Sequence, residues 1–323
     1  MSFRATHLKQ LGGRVSVTLP LDEAGYVGRE CPQPACLGYF KVKPGTGLTG
    51  PDLLCVCPYC GYKDSPRRFY TPAQIEYATS VAMRNVGETV RKDLKSMEFD
   101  HRPRGGFGIG ISLKVKHGPP LSIKHYREEK LETELTCNEC TLSYSVFGLF
   151  AYCPDCAVHN SLQILNNNLA LTQKQLALAG GLDDPELQRH LIEDALENCV
   201  SAFDGFGRET CRVRANKSTD PSKCENVSFQ NLNRAAARLQ SLFNVDLRSI
   251  VPVAVWTVAH VGFMRRHVLA HKAGIIDQPY IDETNESPSL LGRRLTISAD
   301  AVRELLDAVS ALGKHLVDSL PPP

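Results

Sequence analysis

The chain has 323 residues, 42% of them hydrophobic and 22% charged, which allows two or three domains with cores of their own, so small size is not a reason to need metal. A net charge of +2 argues neither for nor against nucleic acid, although residues 1–158 carry +4 and the remainder −2. The start lacks the apolar core of a secretory leader, and the longest nearly apolar run, 250 to 264, is broken by Pro252, Thr257 and His260, so a cytoplasmic protein with a buried helix there and no membrane segment is expected.

In chain order the first signal is a set of cysteines. Cys31 and Cys36 close a CPQPAC turn, and Cys57 and Cys60 close a CPYC turn followed by Gly61. A short turn between two cysteines points both sulfurs at one ion, and two such turns on adjacent hairpins complete a tetrahedron. A first zinc ribbon is expected at about 28–64, with Cys55 as a competing thiolate. A helix follows at about 72–97, with Thr71 as cap, Pro72 at the first helical position, and Ile75, Ala78, Val81, Ala82, Val86 and Val90 on a face expected to pack against the ribbons.

From His101 to Arg127 there is no acidic residue, while Arg102, Arg104, Lys114, Lys116, Lys124 and Arg127 accompany Phe107, Tyr126 and a glycine-rich run. Basic residues interleaved with aromatics suit a phosphate backbone and stacked bases, so these six are candidate nucleic-acid contacts; the wet face of a strand would show the same lysines. The second cysteine set, Cys137, Cys140, Cys153 and Cys156, predicts a ribbon at about 134–158, with residues 142–147 and 150–152 alternating as the strands of a hairpin. The chain thus resembles the zinc-ribbon family twice. Closed four-cysteine sites imply two structural Zn2+ and no catalytic metal, unless one set is a redox pair or a degenerate ribbon. Cys199, Cys211 and Cys224 lack such partners and read as packing thiols.

Beyond residue 159 the periodicity is helical, with helices expected near 160–179, 185–213, 229–243, 249–272 and 298–319 and loops between them. The fold class expected is α+β: a double zinc-ribbon module over 1–158, made of hairpins and one helix, then an all-α antiparallel bundle over 159–323. On the fourth of these helices His260, His267 and His271 fall within about 40° of one another at 100° per residue. No carboxylate shares that stripe, which makes a metal site there the weaker reading.

The run Arg266-His267-Val-Leu-Ala-His271, followed by Lys-Ala-Gly274-Ile-Ile-Asp277, resembles the Arg-x(4–6)-His motif of the HEPN superfamily. That resemblance, over about 159–319, implies a metal-independent endoribonuclease acting on RNA, commonly a homodimer with a shared cleft, in some cases a toxin or phage-defence protein restrained by a regulatory partner. It implies that His271 moves the proton in attack of a ribose 2′-hydroxyl on the adjacent phosphate, that Arg266 holds the phosphate, and that His267 takes the motif's variable polar place. Arg265 also fits the spacing, and Glu193 or Glu197 fits a further polar residue that the family often draws from an earlier helix. The alternative is a non-catalytic adaptor, in which the ribbons bind nucleic acid or protein and the helices dimerise.

Overall fold

The structure is a computed structural model that describes residues 6–10, 15–50, 53–101, 111–116 and 118–322. It divides into two compact units, one of residues 1–148 with 152–158 and one of residues 149–151 with 159–323. The fold is mixed: small antiparallel hairpins beside helices. No described helix is long and apolar enough to cross a membrane.

The first unit contains α1 (Thr6–Gln10), β1 (Val27–Glu30), β2 (Tyr39–Val42), β3 (Cys55–Val56), β4 (Lys63–Asp64), α2 (Pro72–Lys95), β5 (Phe99–His101), β6 (Ile111–Leu113), β7 (Thr133–Thr136) and β8 (Ser143–Val146). A four-stranded antiparallel sheet runs β1-β2-β8-β7, and the register Lys41↔Ser145 and Val42↔Tyr144 joins a hairpin from each cysteine set. Phe40, Tyr144 and Val146 are buried there, and Phe69 meets Phe40 edge-on at 6.0 Å. The expected pairing of 142–147 with 150–152 is not formed. Instead β8 pairs with β7, because those strands flank the turn at Cys137–Cys140 and that turn closes the hairpin.

Helix α2 begins as expected: the Thr71 side chain accepts from the Gln74 amide N–H, and Gln74 returns a bond to the Thr71 backbone. The expected apolar contact face is another matter. The buried side chains of this helix are Gln74 and Asp93, while Ile75 is 55% exposed and Met83 58%. Polar anchors hold it at its two ends. Gln74 Nε2 donates to the Gly28 carbonyl at 2.9 Å, and Asp93 accepts from the backbone of His7 and Leu8 in α1.

The second unit contains α3 (Ser161–Gly180), α4 (Pro185–Arg212), α5 (Pro221–Cys224), α6 (Leu232–Phe243), α7 (Val253–Lys272), α8 (Gln278–Thr284) and α9 (Ala299–Ser319). Oxygens of Asp184, Asn231 and Ser298 cap α4, α6 and α9. Helix α3 packs on α4, and α9 touches α3, α4 and α7. Phe203 is central to the core, with Phe229, Phe206 and Phe263 rings 5.7 to 5.9 Å away. Cys199, Cys211 and Cys224 are wholly buried in that core. Helix α7 crosses α9 closely because residue 262 has no side chain: a Cβ there would lie 2.5 Å from Leu305 Cδ1.

Three expectations for this unit need correction. Helix α7 is not buried throughout: Val253 is 81% exposed, and His267 and His271 are exposed while His260 is half-buried. Residues 276 to 294, read as a loop, hold α8 and a short 3-10 turn. Their ends are tied by an antiparallel bridge between Ile275 and Arg294 and by the Ile276 N–H to Arg293 carbonyl bond at 3.0 Å, and Tyr280 anchors them in the core. The segment 215 to 228 likewise carries α5.

Candidate functional site

The two cysteine clusters form by one local device used four times. After the second cysteine of each turn comes a residue of positive φ: Leu37 (47°), Gly61 (71°), Thr141 (64°) and Ala157 (63°). At three of the turns the N–H of that residue returns to the carbonyl of the first cysteine, namely Gly61 to Cys57, Thr141 to Cys137 and Ala157 to Cys153. In the longer first turn Gln33 takes the cysteine's place as acceptor from Leu37. The first cysteine then closes the turn, since Cys31, Cys57, Cys137 and Cys153 donate to Gly38, Tyr62, Leu142 and Val158. Three of these left-handed positions are not glycine, so the strain of an L-residue there is held by the turn around it.

The sulfurs converge. Cys31 and Cys60 are 3.7 Å apart, Cys36 and Cys57 3.7 Å, Cys137 and Cys156 3.6 Å, and Cys140 and Cys153 3.4 Å. Within each cluster all four lie within 4.8 Å of one another. Four thiolates about 2.3 Å from a zinc ion span tetrahedral edges of about 3.8 Å, so both clusters have the dimensions of a four-coordinate metal centre. Cys55 is buried but lies outside the first cluster.

Charge makes the same case. Burial pushes the thiols of Cys31 and Cys156 up to about 11 and those of Cys57 and Cys153 higher still. In Cys60 and Cys137 burial is outweighed by backbone N–H groups and neighbouring thiols, and their values are lowered. Within each cluster, then, one thiol ionises more readily than a free cysteine and two less readily, and a bound cation would favour the thiolate form of the sulfurs it touches. Among the described residues these are the two groups able to hold a metal ion.

Four of the six candidate nucleic-acid contacts lie among the described residues. Lys114 and Lys116 are exposed just past β6, Lys124 is paired with Glu76, and Arg127 lines a cavity with Lys41 and Glu128. Arg102 and Arg104, with Phe107 and the glycine run, lie outside the described residues.

In the second unit α7 carries the motif. The rings of His267 and His271 are 4.8 Å apart, and both residues are exposed. The two arginines differ sharply. Arg265 Nη2 donates to Glu286 at 3.0 Å and its Nε approaches the Tyr280 hydroxyl at 3.4 Å. Arg266 has a buried Nε without a hydrogen-bond partner and one contact of 3.4 Å from Nη1 to Gln230 Oε1; among the described residues no carboxylate pairs with it.

Arg266 and His271 are five residues apart on a continuous helix, hence about 140° apart around its axis. The sector between them contains Phe263, His267 and His260, and there a cavity of about 180 Å3 is lined by those three residues together with Met264, Gln230 and Glu283. The carboxylate that the α7 stripe lacks in sequence comes from α8: Glu283 Oε2 lies 3.2 Å from His260 Nε2. Burial lowers the pKa of His260, with Arg248 adding to the effect and Glu283 opposing it. That of His267 is lowered by burial and by the neighbouring His271.

Glu193 pairs with Arg189 and Arg294, and no bond joins Glu193 or Glu197 to the motif. Asp204 of α4, which sequence reasoning missed, stands one contact removed from the motif. It accepts from the Phe229 N–H at 2.5 Å, the Ser228 hydroxyl at 3.1 Å and Gln230 Nε2 at 3.4 Å, and so fixes the loop whose Gln230 meets Arg266. A signal existed, because Asp204 is seven residues beyond Glu197 and so within about 20° of it on the helix. No protein family, curated protein or solved structure matches this chain.

Proposed function

We propose that the chain is a metal-independent endoribonuclease of the HEPN type, its helical unit an antiparallel bundle and its two cysteine clusters closed structural zinc sites that recognise RNA or a partner. The observation that carries this reading is the contrast between adjacent arginines: Arg265 is paired with Glu286 and meets Tyr280, whereas no described carboxylate pairs with Arg266, which shares its helix with an exposed pair of imidazoles. A guanidinium without a carboxylate keeps its charge for phosphate. Arg266 is therefore preferred over Arg265.

In this mechanism the ribose 2′-oxygen attacks the adjacent phosphorus while the bond from phosphorus to the 5′-oxygen breaks. The 2′-hydroxyl proton is taken up, a proton reaches the departing 5′-oxygen, and a 2′,3′-cyclic phosphate remains. His271 moves one of those protons, and Arg266 bears the charge that grows on the phosphate. Zinc, when bound, supplies structure, since four thiolates leave no position open. The 140° separation within one chain fits a cleft shared by two protomers, as the resemblance implies.

The test is RNA cleavage by the purified protein without added metal, compared with Arg266→Ala and His271→Ala. Loss of cleavage at an unchanged melting temperature supports the reading, and equal activity in His271→Ala sinks it. One observation favours the adaptor instead: α2 leaves Ile75 and Met83 more than half exposed, as a docking helix would. An adaptor binds its partner with both substitutions tolerated.

A further inference from the structure

The cavity beside α7 has a chemistry that the cleavage mechanism does not use. Its polar wall is made of Gln230, Asn233, His260, His267 and Glu283, and Phe263 and Met264 supply an apolar side. No lysine or arginine lines it, and Glu283 is an anion, so a phosphate is unfavourable inside. About 180 Å3 is also below the roughly 300–1,000 Å3 of sites that hold a whole drug-sized ligand. What remains is a small flat heterocycle with a polar edge.

We propose that this cavity receives one unpaired nucleobase of the RNA strand, next to the phosphate held by Arg266, and that it selects bases bearing an exocyclic amine. The inference rests on the ribonuclease reading and adds the substrate's conformation and base preference to it. Position supports the assignment. The cavity opens in the sector of α7 between Arg266 and His271, and its walls touch both ends of the motif: Gln230 contacts Arg266 at 3.4 Å, and the His267 ring lies 4.8 Å from that of His271.

The selectivity follows from Glu283. Its two bonds, from Asn233 Nδ2 at 3.3 Å and with His260 at 3.2 Å, both fall on Oε2. Oε1 is left with its lone pairs, and its side chain is 49% exposed. A carboxylate oxygen accepts from the amine of adenine, cytosine or guanine, whereas uracil has no exocyclic amine and offers only a ring N3–H between two carbonyl oxygens that the carboxylate repels. A paired base presents neither its Watson–Crick edge nor a free ring face, so a duplex is refused.

Binding, separated from cleavage, tests this. In the His271→Ala protein, fluorescence anisotropy is measured with labelled single-stranded 12-mers of adenylate, cytidylate and uridylate, with a duplex, and with adenosine monophosphate as competitor, all at one salt concentration. Adenylate and cytidylate strands should bind about tenfold more tightly than uridylate. Glu283→Gln, whose amide both donates and accepts, should remove the difference at an unchanged melting temperature. RNA bound without base preference, a preference untouched by Glu283→Gln, or equal binding of the duplex overturns the pocket and leaves the nuclease reading intact. Adenosine monophosphate bound as tightly as the strand makes this a free-nucleotide site and overturns it too. Failure to bind any RNA overturns the pocket, and cleavage by the unsubstituted protein then decides the nuclease reading separately.

Discussion

Replacing Cys57 and Cys60 by Ser in one variant, and Cys137 and Cys140 in another, removes one knuckle from each cluster and leaves two sulfurs where four converge. The size of the effect follows from how little else holds the first unit. Its sheet strands are four residues long, β3 and β4 are two each, and the buried side chains of its 24-residue helix α2 are polar. Such short hairpins are marginal alone. A structural zinc ion in a small site contributes about 10–16 kcal/mol, against the roughly 5–15 kcal/mol by which a whole domain is usually stable. Loss of either ion should therefore unfold the first unit. The second unit, whose core contains Phe203, Phe206, Phe229 and Phe263, should stay folded. Metal analysis should give two ions per native chain and one fewer in each variant, and trypsin should digest residues before about 149 while sparing the rest. A first unit that stays protease-resistant after losing its metal would refute the reasoning.

Glu209 accepts from Arg212 Nε and Nη2 at 2.7 Å each and pairs with His159; burial opposes its ionisation, but these partners hold its carboxyl down to about 2. Its contribution, on the order of 2–3 kcal/mol, is complete above the usual glutamate value and is lost between about 4.5 and 2, so Glu209→Gln should flatten acid denaturation followed by circular dichroism in that window. His260 has the same sign: burial lowers it, so the unfolded chain takes up the proton first and stability falls as pH drops below about 6.5, with a shallower fall expected in His260→Gln. Gly262→Ala places a Cβ 2.5 Å from Leu305 and should cost about 1–3 kcal/mol in urea denaturation. Arg265→Ala should lower the melting temperature by stranding Glu286, whereas Arg266→Ala should leave it unchanged while abolishing cleavage.

The two four-cysteine clusters were legible because their signal is local: a turn of fixed length brings two sulfurs together wherever it occurs. Its backbone requirement was not legible. Gly61 announces a left-handed position, but Leu37, Thr141 and Ala157 adopt one because the turn's hydrogen bonds impose it, and nothing in those side chains foretells it. The partners of β8 were misassigned because alternation marks a strand without naming its neighbour. The apolar spacing in α2 suggested a buried face, yet alanines and valines at helical spacing equally describe a half-exposed helix held at its ends by Gln74 and Asp93. At α7 the histidine stripe was readable from periodicity, while Glu283 and Gln230 reach that side of the helix from other elements, with Asp204 holding Gln230 from behind, which a helical wheel of one segment does not show.

The chemistry of the cut ends tests the central claim most directly. A single-stranded RNA with one 2′-deoxy nucleotide at the cleaved position is incubated with the protein without added metal, beside its all-ribose counterpart. Cleavage at that position in the all-ribose strand alone, leaving a 2′,3′-cyclic phosphate and a 5′-hydroxyl and absent in His271→Ala, is the predicted result. Cleavage of the deoxy-substituted strand at the same position, or products ending in a 3′-hydroxyl that appear when magnesium is supplied, would contradict it.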